Sequence, residues 1–225
     1  LTVVLTYEDG VLVQAATRGN GEVGDDVTAN VRTIRTVPLR IPVNSDGPAA
    51  PSRLVARGEV LFLKKDFEAV NERQVEMDLP RYVNARNTAS GTLKQKDSRI
   101  TAERPLTAYI YAIVDGDGEL PPTQWKTLNY LRESGFLLSD EVRLFSDDDF
   151  DTMIQYLDDY VAKRDSLTFE IDGLVIKVND HAIFRELGVV GKDPRGAIAF
   201  KFPSQEATTD LLGVEANVGR TGVLT

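Results

Sequence analysis

The sequence predicts an α+β fold organised on largely antiparallel sheets, with helices flanking them. Three observations carry that prediction. Strand-forming runs come in pairs, beginning with residues 1–7 and 11–17 on either side of Glu8-Asp9-Gly10. Helical periodicities lie between such runs without the regular strand–helix–strand repeat of a parallel sheet. The chain of 225 residues is 42% hydrophobic, enough to fill a real core in one large domain, or in one domain plus part of another.

Composition narrows the chemistry. There is no cysteine, which excludes a disulfide framework and a thiolate zinc site. His181 is the sole histidine, so a histidine metal cluster or a Ser-His triad does not fit. No apolar run approaches a membrane span and no signal-peptide pattern is visible, so a cytoplasmic protein without a membrane partner is expected. The net charge of −9 argues against coating nucleic acid by bulk charge, but leaves room for a local basic channel.

Taken in order, residues 1–17 read as a hairpin with an Asp-Gly turn. Arg18-Gly19-Asn20-Gly21-Glu22-Val23-Gly24 is a tightly turning loop that fits no dinucleotide or P-loop fingerprint, and by itself it reads as a surface loop. Asp25 and Asp26 then open a helix that carries Val27, Val31 and Ile34. Residues 44–52 form a loop. Residues 54–62 are a strand whose alternation puts Arg57 and Glu59 on one face, either self-paired or presented to ribose hydroxyls or a metal. Asp66 is expected to cap the next helix.

Residues 84–96 are helix-like in length but nearly free of large apolar side chains, while Arg86, Lys94 and Lys96 supply positive charge. This points to an element that faces phosphate or nucleic acid. Residues 106–114 are a strand with Tyr109 and Tyr111 on one face, a pair that more often packs in a core than serves as a base platform. Helices from Thr123 and from the Asp147-Asp148-Asp149 run are scaffold, the second with Phe150, Met153, Ile154, Leu157 and Val161 at helical spacing. A short helix covers 181–187. Residues 196–203 form a strand with Ala197, Ala199 and Lys201 on a small face and Ile198, Phe200 and Phe202 on a bulky, core-facing one. A further strand is expected over 211–218.

The least ordinary stretch is Glu170-Ile171-Asp172-Gly173-Leu174-Val175-Ile176-Lys177-Val178. It is apolar enough for a central strand, yet it carries three charges, which are costly to bury unless paired or bound. Strict alternation sets Asp172 and Lys177 on opposite faces. Both serve one site only if Gly173 marks a bulge or bend, or if one of them acts from the strand's end.

Seven blocks in order carry a resemblance: Ala16-Thr17-Arg18-Gly19 with Gly24-Asp25-Asp26; Arg57-Gly58-Glu59-Val60; Asn84-Ala85-Arg86-Asn87 through Leu93-Lys94-Gln95; Arg99-Ile100-Thr101-Ala102; Ile171-Asp172-Gly173 to Lys177-Val178; Ala199-Phe200-Lys201-Phe202-Pro203; and Val218-Gly219-Arg220-Thr221-Gly222. Together they resemble the adenylation domain of the bacterial NAD-dependent DNA ligases.

The resemblance implies a nucleotidyltransferase core over residues 1–205, of the ATP-grasp-like DNA ligase type, and the start of an OB-fold domain over 206–225. It implies a reaction in which a lysine takes AMP from NAD and passes it to the 5′-phosphate of nicked double-stranded DNA, in replication and repair. Catalytic roles fall by resemblance on Asp172, Lys177 and Lys201. NAD/AMP contacts fall on Arg18, Glu59, Tyr111, Lys177 and Lys201. DNA or phosphate contacts fall on Arg86, Lys94 and Arg164, and metal contacts on Glu59 and Asp172. Mg2+ or Mn2+ is implied, zinc only in a module outside this chain, and a monomer is expected.

Three departures stand out. The family's nucleophilic Lys-x-Asp-Gly motif occurs nowhere in residues 1–225 and is expected immediately before Leu1. Lys94 and Ala85 replace a frequent arginine and a frequent proline, and the first change loses a bidentate fork. A non-catalytic nucleotide- or DNA-binding fragment and an ATP-dependent relative are the alternative readings.

Overall fold

The computed structural model describes residues 1–225 apart from 22, 192, 204–207, 211 and 225, with the backbone alone described at 147. The expected domain junction at 205–206 and the expected strand start at Leu211 therefore lie outside the described residues.

The main sheet has the order β2-β1-β3-β4 and is antiparallel throughout. Strands β1 (Thr2–Glu8) and β2 (Val11–Thr17) form the expected hairpin. Asp9 and Gly10 both take positive φ, 45° and 76°, which gives the type I′ turn that matches strand twist. A side chain at Gly10 would also strike the Ile41 carbonyl, so the position needs glycine twice over. Val3, Leu5 and Tyr7 alternate into the core with no exposed surface. Tyr7 donates its hydroxyl to the Pro38 carbonyl at 2.7 Å and meets Phe136 edge to face at 5.5 Å.

Strand β3 (Arg53–Leu61) turns Leu54, Ala56 and Val60 into the same core and leaves Arg57 and Glu59 on the opposite face. Strand β4 (Thr107–Gly116) repeats the division, with Ala108 and Ile110 inside and Tyr109 and Tyr111 opposite. The ladder slips between Arg57 and Gly58, which pair with Ala112 and Ile110, so Tyr111 is the extra residue of a β-bulge.

The helical layer is shorter than the sequence suggested at its start. The segment after Asp26 makes a single turn, α1 (Thr28–Val31), and Ile34 reaches the core through turns instead. Helix α2 (Lys64–Glu76) is capped at Leu63, and Asp66 sits in its first turn rather than at the cap. There its carboxylate still complements the helix dipole. Helix α3 (Ala85–Leu93) is capped by Asn84 and buries Thr88, Ala89, Thr92 and Leu93. Those small residues let it lie close on β3, so the missing bulk serves the helix's own sheet. Helix α4 is Ser98–Ala102, and α5 (Gln124–Glu133) is capped by Thr123.

A second, smaller core gathers Tyr160, Leu167 and Phe202 with Tyr156, Val161, Ile171, Leu174 and Phe200. It joins helix α6 (Phe150–Lys163) to a two-stranded ribbon of β5 (Gly173–Lys177) and β8 (Ala197–Lys201). Helix α7 (His181–Glu186) and the short strands β6 (Val189–Val190) and β7 (Asp193–Pro194) lie between the two in sequence.

The ribbon corrects several expectations. Residues 173–177 are not a central strand: they pair with β8 alone, and Val175 is 60% exposed. Ile198 is 65% exposed, so only Phe200 and Phe202 of the bulky face reach the second core. On α6, Phe150 and Ile154 face solvent although their spacing is helical. Residues 212–217 form no strand and are exposed, with an isolated bridge from Val218 to Leu224.

Candidate active site

The outward face of the main sheet and the small face of the ribbon come together at Tyr111 and Lys177, and the space beside that contact is the candidate cleft. On the sheet side stand Arg57, Glu59, Tyr109 and Tyr111. On the ribbon, register pairs Gly173 with Lys201, Val175 with Ala199 and Lys177 with Ala197, so these six share a face. The two sides meet where the Lys177 ammonium lies 5.0 Å above the Tyr111 ring.

That contact sets the electrostatics. Desolvation pushes the Lys177 pKa below its ordinary value, and the like charge of Arg57 adds to the effect. Among the described residues Lys177 has no carboxylate partner. Burial raises the Tyr111 hydroxyl, as does Glu59, while Arg57 and Arg18 oppose the rise. Arg18, Arg57 and Glu59 thus lie within electrostatic reach of Tyr111, and Arg57 within reach of Lys177 as well.

The second group is centred on Asp172. Strand β5 begins at Gly173, and Asp172 stands just before it, its carbonyl accepting the Phe202 N–H at 3.0 Å. From that end position its carboxylate takes a hydrogen bond from the Lys201 Nζ at 2.9 Å. Asp172 therefore reaches the lysine of the cleft face although alternation would send it the other way. The Lys201 hydrogen bond holds the Asp172 carboxyl below the usual carboxylate range, and Arg86 contributes from the start of α3.

The remaining candidates are placed differently. Lys94 pairs with Asp25 at 2.7 Å. Arg164 lies 5.9 Å over the Phe202 ring, beside the second core. Glu59 accepts from the Thr2 hydroxyl at 2.5 Å. Among the described residues no three His, Asp or Glu side chains are grouped to hold a metal ion. Glu59 and Asp172 each offer one carboxylate, which suits a hydrated ion brought by phosphate better than a cage built by protein alone.

The family described as the NAD-dependent DNA ligase adenylation domain matches residues 1–205. The chain belongs to that family. A DNA ligase of Chloroflexus aggregans is 51% identical over 231 residues, covering all of this chain and 34% of that protein. DNA ligases of Herpetosiphon aurantiacus and Desulfitobacterium hafniense are 50% and 47% identical, again over the whole chain and 33% of each relative. The chain spans about a third of the length of the relatives it matches. Among the described residues no helix is long and apolar enough to cross a membrane.

Within this adenylation domain the sequence reading missed three residues. Val175 is an exposed apolar side chain between the two cleft lysines, and its place on the small face of the ribbon was a usable signal. Gln124 and Asn179 fasten the cleft from behind. Asn179 bonds to Trp125, 54 residues away, a contact with no local signature.

Proposed function

We propose that the cleft binds the adenylate half of NAD and that the longer protein uses it to adenylate itself and then nicked DNA. The observation that carries this reading is the Lys177 ammonium, 5.0 Å above the Tyr111 ring, with Arg57 within electrostatic reach and no ion-pair partner for the lysine among the described residues. Such a group favours a phosphate as its partner.

NAD supplies the AMP unit and its leaving group. The residues of this chain do the holding. Tyr111 offers adenine the ring face that Lys177 now covers, and the lysine turns from the ring to the phosphate when the nucleotide enters. Glu59 accepts hydrogen bonds from ribose hydroxyls, and Arg18 guards the same edge. Lys177 and Lys201 neutralise charge that builds on the phosphate oxygens, the chief electrostatic task in such transfers. Asp172 aims the Lys201 ammonium. Mg2+ or Mn2+ would approach Glu59 or Asp172 together with the phosphates.

The attacking amine is not among residues 1–225 by motif, since no Lys-x-Asp-Gly is present. In the longer protein that lysine forms the bond to the α-phosphorus and loses a proton as the bond to nicotinamide mononucleotide breaks. Arg86, Lys94 and Arg164 are proposed to meet the DNA backbone. Lys94 would have to exchange Asp25 for phosphate. The reading also assigns residues 1–205 to the nucleotidyltransferase domain, 206–225 to an OB-fold, the active species to a monomer and its place to the cytoplasm.

The test is adenylation of the full-length protein. Incubation with NAD should add one AMP to the protein and release nicotinamide mononucleotide, and ATP should not substitute. Lys201→Ala should abolish the adduct or its transfer to DNA. Adduct from ATP alone, or unimpaired sealing by Lys201→Ala, would contradict the assignment.

A further inference from the structure

We propose that Asn179 is a positioning residue for the cleft, which locks the exit of β5 onto α5 and thereby fixes Lys177 against Tyr111. This rests on the reading of the cleft as a nucleotide site.

The bulge supplies the starting point. Tyr111 is one of two residues, with Val114, that the β3–β4 register leaves without a partner, so its carbonyl must be satisfied elsewhere. It accepts from the Gln124 side-chain amide at 2.7 Å. Gln124 is the first residue of α5, whose opening N–H groups have no partner inside the helix. Asn179 satisfies two of them. Its backbone carbonyl accepts the Gln124 N–H at 2.7 Å, and its side-chain oxygen accepts the Trp125 N–H at 2.9 Å. The Thr123 hydroxyl takes the third, from Lys126, at 3.2 Å.

Asn179 lies two residues beyond Lys177, and Lys177 sits over the Tyr111 ring. The circuit therefore closes: Tyr111 to Gln124, Gln124 to Asn179, Asn179 along the chain to Lys177, and Lys177 back to Tyr111. The seam continues in the Thr123–Asp180 bridge and in the His181 N–H, which donates to the Pro122 carbonyl at 3.1 Å. Helix α5 thus holds both walls of the cleft at one end. Asn179 touches no reacting atom. Its effect is to set where the Lys177 ammonium stands.

What Asn179 contributes is an acceptor oxygen at a helix N-terminus, a task aspartate performs equally well. Asn179→Asp should therefore behave as wild type, and Asn179→Ala should not. The experiment measures adenylation of the full-length protein against NAD concentration, with thermal unfolding alongside. Asn179→Ala should raise the half-saturating NAD concentration about tenfold, the scale of one lost hydrogen bond, while Asn179→Asp stays within about twofold. Gln124→Glu, which removes the donor to Tyr111, should shift NAD saturation in the same direction as Asn179→Ala and serves as the readout if that variant does not fold.

Wild-type NAD saturation in both Asn179→Ala and Gln124→Glu would overturn the proposal, as would equal impairment of Asn179→Asp and Asn179→Ala. A lowered Tm with unchanged NAD saturation would reduce Asn179 to a structural cap. If wild-type protein takes no AMP from NAD, the nucleotide reading falls and this inference with it. A normal wild type beside silent Asn179→Ala and Gln124→Glu variants removes the inference alone.

Discussion

The Lys177 ammonium stands 5.0 Å above the Tyr111 ring, and this contact joins the ribbon to the main sheet across the cleft. It ties a lysine at the end of β5 to the bulged residue of β4. Desolvation lowers the Lys177 pKa and raises that of Tyr111.

The ring is the first thing to test. Tyr111→Ala should weaken AMP or NAD binding by about 1–3 kcal/mol, the usual scale of base–aromatic stacking. Tyr111→Phe should retain most of the affinity, because it keeps the face and loses only the hydroxyl. Calorimetric titration of the full-length variants separates the two, and equal loss in both would assign the role to the hydroxyl.

Lys177 makes a prediction about stability. Its folded pKa lies below the unfolded lysine value of 10.5, so the folded state binds fewer protons between those two values. The resulting destabilisation is complete below the folded pKa and disappears as pH rises past 10.5. Lys177→Met should therefore make the chain slightly more stable at neutral pH, with an advantage that shrinks in alkali, while abolishing adenylation in the longer protein. Denaturant unfolding at a neutral and an alkaline pH gives the comparison. A constant difference would rule out titration of Lys177 as its source.

Asp172 carries the opposite sign. Its carboxyl is held below the ordinary 3.8 by Lys201, so the pair adds stability that is fully present above 3.8 and lost as pH falls through the lower folded value. Both partners are exposed, which limits the gain to about 1 kcal/mol or less. Asp172→Asn should remove that acid-side slope and should impair adenylation far more than stability. Unfolding curves across the acid range, set beside adduct yields, check both halves.

Gly58 is the point where packing and site are joined. A Cβ there would meet the Ile110 side chain at 2.4 Å and the Tyr109 carbonyl at 2.5 Å. Gly58→Ala must spread β3 from β4 beside both Glu59 and the Tyr111 bulge. Overpacking of this kind costs about 1–3 kcal/mol, or a Tm lower by roughly 5 °C in a chain of this size. NAD affinity should fall with it. Unchanged Tm and affinity would mean the sheet yields without cost.

Much of this was legible in the sequence because its signals are local. The Asp9-Gly10 turn, the alternation of β3 and β4 and the Thr123 cap each lie within a few residues of what they control. The ribbon was misjudged because apolar content alone does not reveal how many neighbours a strand will have, and β5 has only β8. The small face of α3 suggested a ligand, but the same residues also suit close packing on β3. Lys94 looked available for phosphate until Asp25, far away in sequence, proved to be its partner. The hold of Asn179 on Trp125 likewise belongs to the tertiary fold, and no periodicity encodes it.

The most direct test of the nucleotide cleft is a structure of the full-length protein with NAD bound. Adenine should lie against the Tyr111 ring, ribose hydroxyls at Glu59 and the phosphate next to the adenosine between Lys177 and Lys201. A dinucleotide bound elsewhere, with Tyr111, Lys177 and Lys201 making no contact to it, would contradict the account.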